Sequence, residues 1–152
     1  MSKRIIYNYL NDDELLRISN TIKEVEKKTA AEILVTIKEK RTFLEKRKSI
    51  RQLAEIEFQK SGITKTKDRT GVLIFILLSD KQFYILADTK ISEKIAQKIF
   101  DEIAEKMSNA FRSGKFSEGI IECINSLSEI LTAFFPVLPD DVNEIPNKVR
   151  FS

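Results

Sequence analysis

The run from Val72 to Leu78 holds seven consecutive apolar residues, with Gly71 before it and the polar pair Ser79 and Asp80 after it. A run this short that contains β-branched and aromatic residues favours a buried strand over a helix. Because no polar residues alternate with the apolar ones, both faces of the strand are expected to be covered. The run therefore predicts the central strand of an α/β sheet.

Two further strands are predicted beside the central one. The segment 32–37, Glu-Ile-Leu-Val-Thr-Ile, is rich in β-branched residues, and the segment 83–87, Phe-Tyr-Ile-Leu-Ala, follows the central run after a short polar turn. So short a turn allows only an antiparallel hairpin. The first strand reaches the central one through a predicted helical crossover, which makes that pair parallel and right-handed. The prediction is a small mixed sheet.

About four amphipathic helices are predicted to cover both faces of this sheet. The first begins after Asn11, whose side chain is suited to an N-cap, and carries an apolar stripe at helical spacing. The others are predicted over 43–60, from an N-cap at Ser92 onward, and over 116–134, where Pro136 ends the helix. Residues 137–152 are predicted to form an extended tail, and residues 1–152 to form a single domain.

Composition excludes several kinds of chemistry. The 152 residues include 26 basic and 23 acidic ones, so the net charge of +3 does not require a nucleic-acid partner. There is no histidine, which excludes Ser-His-Asp and Cys-His catalysis and histidine-ligated zinc. The single cysteine, Cys123, is expected to be a small buried hydrophobe. Chemistry would have to use carboxylates, lysine, arginine, tyrosine, hydroxyls or a bound metal.

No segment of the sequence has the length of a membrane span. The central apolar run is less than half of the roughly 20 residues that a transmembrane helix needs. The basic start, Met1 to Arg4, is followed within a few residues by Asn8, so no signal-peptide apolar region develops. A cytoplasmic protein without a membrane span is the expectation.

Strand directions bring acidic residues together at one edge of the sheet. The starts of the first two strands and the end of the third should place Glu32, Asp68, Arg69 and Asp88 within about one or two strand spacings of 4.8 Å. Calcium and magnesium prefer carboxylate and carbonyl oxygens that converge from loops. The alternative is structural: Arg69 pairs with Glu32 or Asp88 and neutralises the sheet end. Both interpretations remain open, with Glu32, Asp68 and Asp88 as candidate metal ligands.

The opposite edge of the sheet is basic. Lys38, Arg41 and Lys81 follow the strands there, and together with Arg69 they are the candidate phosphate or anion contacts. The stretch 38–51 holds seven basic and two acidic residues. It has only one aromatic residue, so a single-strand stacking surface is not favoured, and a solvated helix face is the simpler interpretation.

Several segments resemble the TPM domain family, which is named after plant thylakoid and photosystem-repair proteins and a nematode receptor-accessory protein. The similar segments are Thr29–Val35, Arg69–Ile74, Ile85–Asp88, Phe111–Gly119, and the tail pieces Phe135–Pro136 and Asn143–Asn147. The resemblance implies a Rossmann-like α/β sandwich. It also implies calcium binding and acid-phosphatase activity, which are associated with plant members, whereas most bacterial members have no assigned role.

The leading hypothesis is a TPM-type binding or accessory module with a weak calcium or magnesium site and room for a protein partner that the sequence does not identify. The first alternative is a metal-assisted phosphomonoesterase, with Glu32, Asp68 and Asp88 as ligands and Arg69 on the phosphate. The second alternative is a nucleic-acid-associated protein that binds through the basic stretch 38–51.

Overall fold

The computed structural model describes residues 5–65, 69–137 and 149–152. In these ranges the chain forms five α-helices and four strands, joined by short 3-10 turns. In chain order they are α1 (Asp12–Glu26), β1 (Glu32–Lys38), α2 (Ile50–Lys60), β2 (Gly71–Leu77), β3 (Gln82–Ala87), α3 (Thr89–Ser92), α4 (Gln97–Arg112), α5 (Phe116–Phe134) and β4 (Val149–Phe151).

The four strands form one mixed sheet in the order β3-β2-β1-β4. Strands β1 and β2 pair in parallel, and β2 and β3 pair antiparallel, as the crossover and the short hairpin predicted. Every residue from Val72 to Leu78 is at most 1% exposed. The α/β class and the central position of this run are confirmed.

Alternate residues of the strands face two separate cores. The larger core packs Ile33, Val35 and Ile74 against α1, α4 and α5. The smaller core packs Leu34 and Phe75 against α2. Helices therefore cover both faces of the sheet. Successive residues of a strand point to opposite faces, so neighbouring side chains belong to different cores.

The second helix begins later than its pattern predicted. Helix α2 starts at Ile50 and not at Phe43, because Ser49 caps it: the Ser49 side chain accepts from Gln52 N at 3.1 Å, and Ser49 N donates to Gln52 Oε1 at 2.8 Å. Residues Phe43–Glu45 form a separate 3-10 turn ahead of the helix. The charged residues between these elements have helical propensity but lie in a loop.

The predicted third helix is divided into two helices. Ser92, predicted as an N-cap, is the last residue of the short helix α3, and Ala96 precedes α4. The cap of α3 is Asp88, which was expected to be only a strand end. Helix α4 extends to Arg112, four residues before α5 begins at Phe116.

A fourth strand was missing from the sequence prediction. Residues Val149–Phe151 pair in parallel with the outer side of β1, opposite Val35 to Ile37. Ser152 Oγ and Glu57 Oε1 are 2.5 Å apart, and Arg150 Nη1 donates to the carbonyl of Lys60 at 3.3 Å, so the strand is also tied to α2. The rest of the predicted extended tail, residues 138–148, lies outside the described residues.

The outer side of β3 is held by polar side chains of α4. Phe83 N donates to Ser108 Oγ at 3.2 Å, and Gln97 Nε2 donates to the carbonyl of Ile85 at 2.8 Å. Both backbone groups point away from β2, so each would lack a partner within the sheet. Helix α4 thus provides hydrogen bonds to the strand as well as an apolar face.

Cys123 is 3% exposed on α5, as its sequence context predicted. Burial raises the pKa of the Cys123 thiol, so the reactive thiolate is disfavoured in the folded protein. We expect Ellman's reagent to label the native protein at least about 100-fold more slowly than the protein in guanidinium chloride, because labelling requires α5 to open. Equal labelling rates in the two conditions would contradict this packing.

Candidate functional site

The amino-terminal end of β1 aligns three residues across the sheet. Glu32 lies opposite Gly71 in the parallel pair, and Asp88 N donates to the Gly71 carbonyl at 2.8 Å on the other side. The α-carbons of Glu32 and Asp88 are therefore two strand spacings apart, about 10 Å. Side chains alternate between the two faces along a strand, and at these three positions they lie on the face that packs against α2.

Gly71 leaves space that Ile63 occupies. A Cβ atom on Gly71 would lie 2.5 Å from Ile63 Cγ1 and 3.0 Å from the Ile63 carbonyl oxygen. Ile63 is completely buried and belongs to the smaller core. Its side chain lies over Gly71, between the positions of Glu32 and Asp88, so an apolar group separates the two acidic residues.

Arg69 and Asp88 form an ion pair at this edge. Arg69 Nε lies 2.8 Å from Asp88 Oδ2, and the pairing raises the pKa of Arg69. The Asp88 side chain is 1% exposed, whereas that of Arg69 is 51% exposed. Asp88 Oδ1 also accepts from Thr89 N at 2.7 Å, at the start of α3. The structural alternative considered for this edge, neutralisation by Arg69, is realised with Asp88.

The backbone of Arg69 is in the left-handed region, with φ of 56°. This conformation is uncommon for a residue with a side chain. The Arg69 carbonyl accepts from Lys90 N at 3.2 Å, which ties this turn to α3. The turn and the ion pair together fix where the guanidinium lies.

Glu32 is buried, with 4% exposure, and its backbone N donates to the Thr70 carbonyl at 3.0 Å. Asp68, the third candidate ligand, lies outside the described residues. Among the residues that the structure does describe, no group of three acidic, cysteine or histidine side chains could hold a metal ion. Glu32 and Asp88 share an edge of the sheet, on either side of Gly71.

A cleft of about 310 Å³ opens beside the Arg69–Asp88 pair, between α2, β3 and α3. It combines apolar and polar side chains with one acidic residue from α2 and both members of the ion pair. The lining residues are Glu55, Phe58, Gln59, Arg69, Leu86, Ala87, Asp88, Thr89 and Ser92. A small polar ligand or a cation in this cleft would meet the ion pair directly.

At the carboxyl edge, two of the candidate anion contacts already have acidic partners. Lys38 Nζ lies 3.2 Å from Glu45 Oε1, and Arg41 Nη2 lies 2.9 Å from Asp80 Oδ2. Lys81 is exposed in the hairpin turn, with φ of 51°. Arg69 belongs to the other edge, so the four residues predicted as anion contacts do not form one cluster.

Comparison with known proteins identifies the family of this chain. The family model described as TPM domain matches residues 7–130, which is most of the chain. The chain belongs to the TPM domain family. The resemblance of its strands and its last helix to that family is thereby confirmed.

Two solved structures have the fold of this TPM domain. The NMR structure of the BA42 protein from the psychrophilic bacterium Bizionia argentinensis is 28% identical, covers 100% of both chains and has a TM-score of 0.84. The N-terminal domain of a protein from P. gingivalis is 14% identical, covers 84% of this chain and 79% of the other, and has a TM-score of 0.68. The second similarity concerns the fold alone. No protein with a curated description matches the chain.

Sequence reasoning about this TPM domain found the residues of the ion pair but not the cleft beside them. Four polar residues that line the cleft were not predicted as site residues: Glu55 and Gln59 of α2, and Thr89 and Ser92 of α3. A signal existed for the first pair, because Glu55 and Gln59 are four residues apart and share a helix face. No signal existed for the second pair, since α3 was not predicted.

Proposed function

We propose that this TPM domain is a binding or accessory module, with a weak calcium or magnesium site at the amino-terminal edge of its sheet. The observation that supports it is the Asp88 carboxylate, which is 1% exposed but lines an open cleft and takes its counter-charge from a half-exposed arginine. A carboxylate in such a position favours a nearby positive charge, and either an arginine or a cation can provide it.

The donor chemistry suits a hard cation. Carboxylate and hydroxyl oxygens are ligands that calcium and magnesium accept, and the cleft presents Asp88, Thr89 and Ser92. Asp68 and Glu32 are the other acidic residues of this edge in the proposal. So few ligands beside an arginine imply weak affinity, with a dissociation constant of about 10⁻⁴ to 10⁻³ M.

Calcium at 10 mM should stabilise the native protein relative to the same protein in chelator. A ligand that binds only the native state adds RT ln(1 + [L]/Kd), so the expected gain is about 1.4 to 2.7 kcal/mol for that range of constants. Thermal melts in calcium, magnesium and chelator measure it. Identical melting in calcium and chelator would leave Arg69 as the sole counter-charge and remove the cation site.

Matched variants locate the effect. Asp88→Asn should abolish the calcium response, because it removes the charge that the cation needs. Asp80→Asn is the control, since Asp80 is also paired with an arginine but lies at the opposite edge. Arg69→Gln should enlarge the response, because the competing guanidinium is gone. A response that survives in Asp88→Asn would place any bound cation elsewhere.

The two alternatives have less support from the geometry. A phosphomonoesterase would use Arg69 on the phosphate, but Arg69 already donates to Asp88. A nucleic-acid interface would use the stretch 38–51, but Lys38 and Arg41 are paired with Glu45 and Asp80, and the exposed apolar side chains Phe43 and Leu44 lie among its other basic residues. A cation at Asp88 leaves the ion pairs of Lys38 and Arg41 unchanged and competes only with Arg69.

A further inference from the structure

The most exposed large apolar side chains among the described residues are neighbours in the chain. Phe43 is 79% exposed and Leu44 is 85% exposed, in the 3-10 turn between β1 and α2. Single exposed apolar residues are common on protein surfaces, but two adjacent ones this exposed leave nearly all their apolar area in water. The turn lies at the carboxyl end of β1, at the opposite edge from the candidate cation site.

The loop that carries this turn has a fixed shape. Thr42 N donates to Glu45 Oε1 at 2.9 Å, and the same oxygen forms an ion pair with Lys38 Nζ at 3.2 Å. Arg41 bridges the base of the loop: it pairs with Asp80 and donates to the backbone carbonyls of Glu45 and Lys48. Polar contacts therefore hold the backbone while both apolar side chains point outward.

Exposed basic residues flank the two apolar side chains in the sequence. Those with no ion pair inside the described part of the chain are Lys40, Lys46, Arg47, Lys48 and Arg51. Lys46 Nζ lies 4.9 Å from the centroid of the Phe43 ring, so one cation sits directly beside the apolar tip. The acidic residue of the turn, Glu45, is neutralised by Lys38. The loop thus combines an apolar tip with unopposed positive charge.

We infer that residues 40–51, here called the tip loop, dock this protein on an anionic lipid bilayer. Phe43 and Leu44 would enter the boundary between head groups and acyl chains, and the five basic side chains would contact the anionic head groups. Apolar insertion and attraction of basic residues to anionic lipid are the two terms that bind peripheral proteins to membranes. The inference is independent of the proposed cation site.

Two features favour a bilayer over a protein partner. The apolar side chains project from a turn instead of lining a groove, and a fluid bilayer accepts a projecting tip without a preformed pocket. The five cations are distributed over residues 40–51, and lipid head groups can move to meet each of them. Strand β1 spans about 20 Å between the two sheet edges, so a protein docked in this way would keep the Arg69–Asp88 cleft facing the solution.

Vesicle flotation tests the inference. We expect the protein to float with vesicles of phosphatidylcholine containing about 30% phosphatidylglycerol at low salt, and not with vesicles of phosphatidylcholine alone. Binding should weaken as salt is raised, because the screening length falls to about 8 Å at 0.15 M. Failure to bind the anionic vesicles at low salt would overturn the inference.

Matched variants separate the contribution of apolar insertion from that of the basic side chains. Phe43→Ser with Leu44→Ser should lower the vesicle partition coefficient by about tenfold or more, because both inserted side chains are lost. Leu16→Ser is its control, since Leu16 is also exposed, at 58%, but lies on α1. Replacing Lys46, Arg47 and Lys48 with glutamine should also weaken binding, whereas the same change at Lys23, Lys98 and Lys106 should have a smaller effect. Both sets are exposed, so folding is preserved.

The protein alternative is an outcome of the same experiment. Sedimentation of the vesicle-free protein would reveal self-association, which the Phe43→Ser and Leu44→Ser variant would abolish if the tip loop contacts a second copy. Self-association without vesicle binding would overturn the lipid inference. Equal vesicle binding by the wild type and the double variant would also overturn it.

Discussion

Replacing Phe75 with alanine should lower the free energy of unfolding by about 3–5 kcal/mol. Phe75 lies in the middle of β2 and is the largest completely buried side chain of the smaller core beneath α2. Alanine would lose the transfer free energy of the ring and leave a cavity that a small core has few atoms to fill. Urea unfolding followed by circular dichroism measures the change.

Phe43→Ala is the control for this substitution. The same atoms are removed, but Phe43 is 79% exposed, so the free energy of unfolding should change by less than about 0.5 kcal/mol. Similar losses in the two variants would mean that α2 does not pack on the sheet as described. A loss confined to Phe75→Ala would show that burial, and not residue type, determines the cost.

Replacing Gly71 with valine should cost about 3 kcal/mol, at the upper end for overpacked sites. Valine is the better strand former, so intrinsic propensity alone would predict a gain. The Cβ atom would meet Ile63 Cγ1 at 2.5 Å and the Ile63 backbone oxygen at 3.0 Å, and backbone cannot move as easily as a side chain. Denaturant unfolding of the single variant measures this cost.

A double-mutant cycle assigns that cost to Ile63. Ile63→Ala removes Cγ1 and Cδ1, two of the three atoms nearest to the added Cβ. The double variant should therefore be more stable than the sum of the single effects predicts, by about 0.5–3 kcal/mol. Additive effects would show that Ile63 is not what Gly71 accommodates, and the apolar separation of Glu32 and Asp88 would then need another explanation.

Local patterns were enough to predict three of the strands. The run after Gly71, the β-rich segment at Glu32 and the short turn before Phe83 each have a pattern that little else satisfies. The same strand directions placed Glu32 and Asp88 at one edge. Strand β4 has only three residues and pairs with a strand more than one hundred residues away, so its partner and not its sequence makes it a strand.

The errors in the predicted helix boundaries have a common cause: more than one nearby residue could serve as the N-cap. Both Thr42 and Ser49 are suited to begin a helix, and the structure uses Ser49 for α2 and Thr42 for a single turn. Likewise Asp88 begins α3 before Ser92 can begin a longer helix. Tertiary contacts decide between such caps, for example the contacts of Arg41 with Asp80 and the loop carbonyls. Most of the tip loop, residues 43–51, was therefore predicted as part of a helix.

The geometry of the site also depends on contacts that a sequence does not display. Gly71 was interpreted only as the boundary of the central run, and nothing in the chain identified Ile63 as the residue that lies against it. The ion pair of Arg69 with Asp88 occurs together with a left-handed turn at Arg69 and a hydrogen bond from Lys90 N to the Arg69 carbonyl, neither of which the sequence predicted. Pairing and packing of this kind are set by the whole fold.

The hydrogen bonds that α4 makes with β3 limit how this protein can assemble. Many sheets recruit an extended peptide, or another copy of themselves, by adding a strand at an open edge. Here Phe83 N and the Ile85 carbonyl are already bonded to Ser108 and Gln97, so an incoming strand would first have to displace a helix of 16 residues. The β3 edge is thereby protected from strand addition by a peptide or by a second copy of the protein.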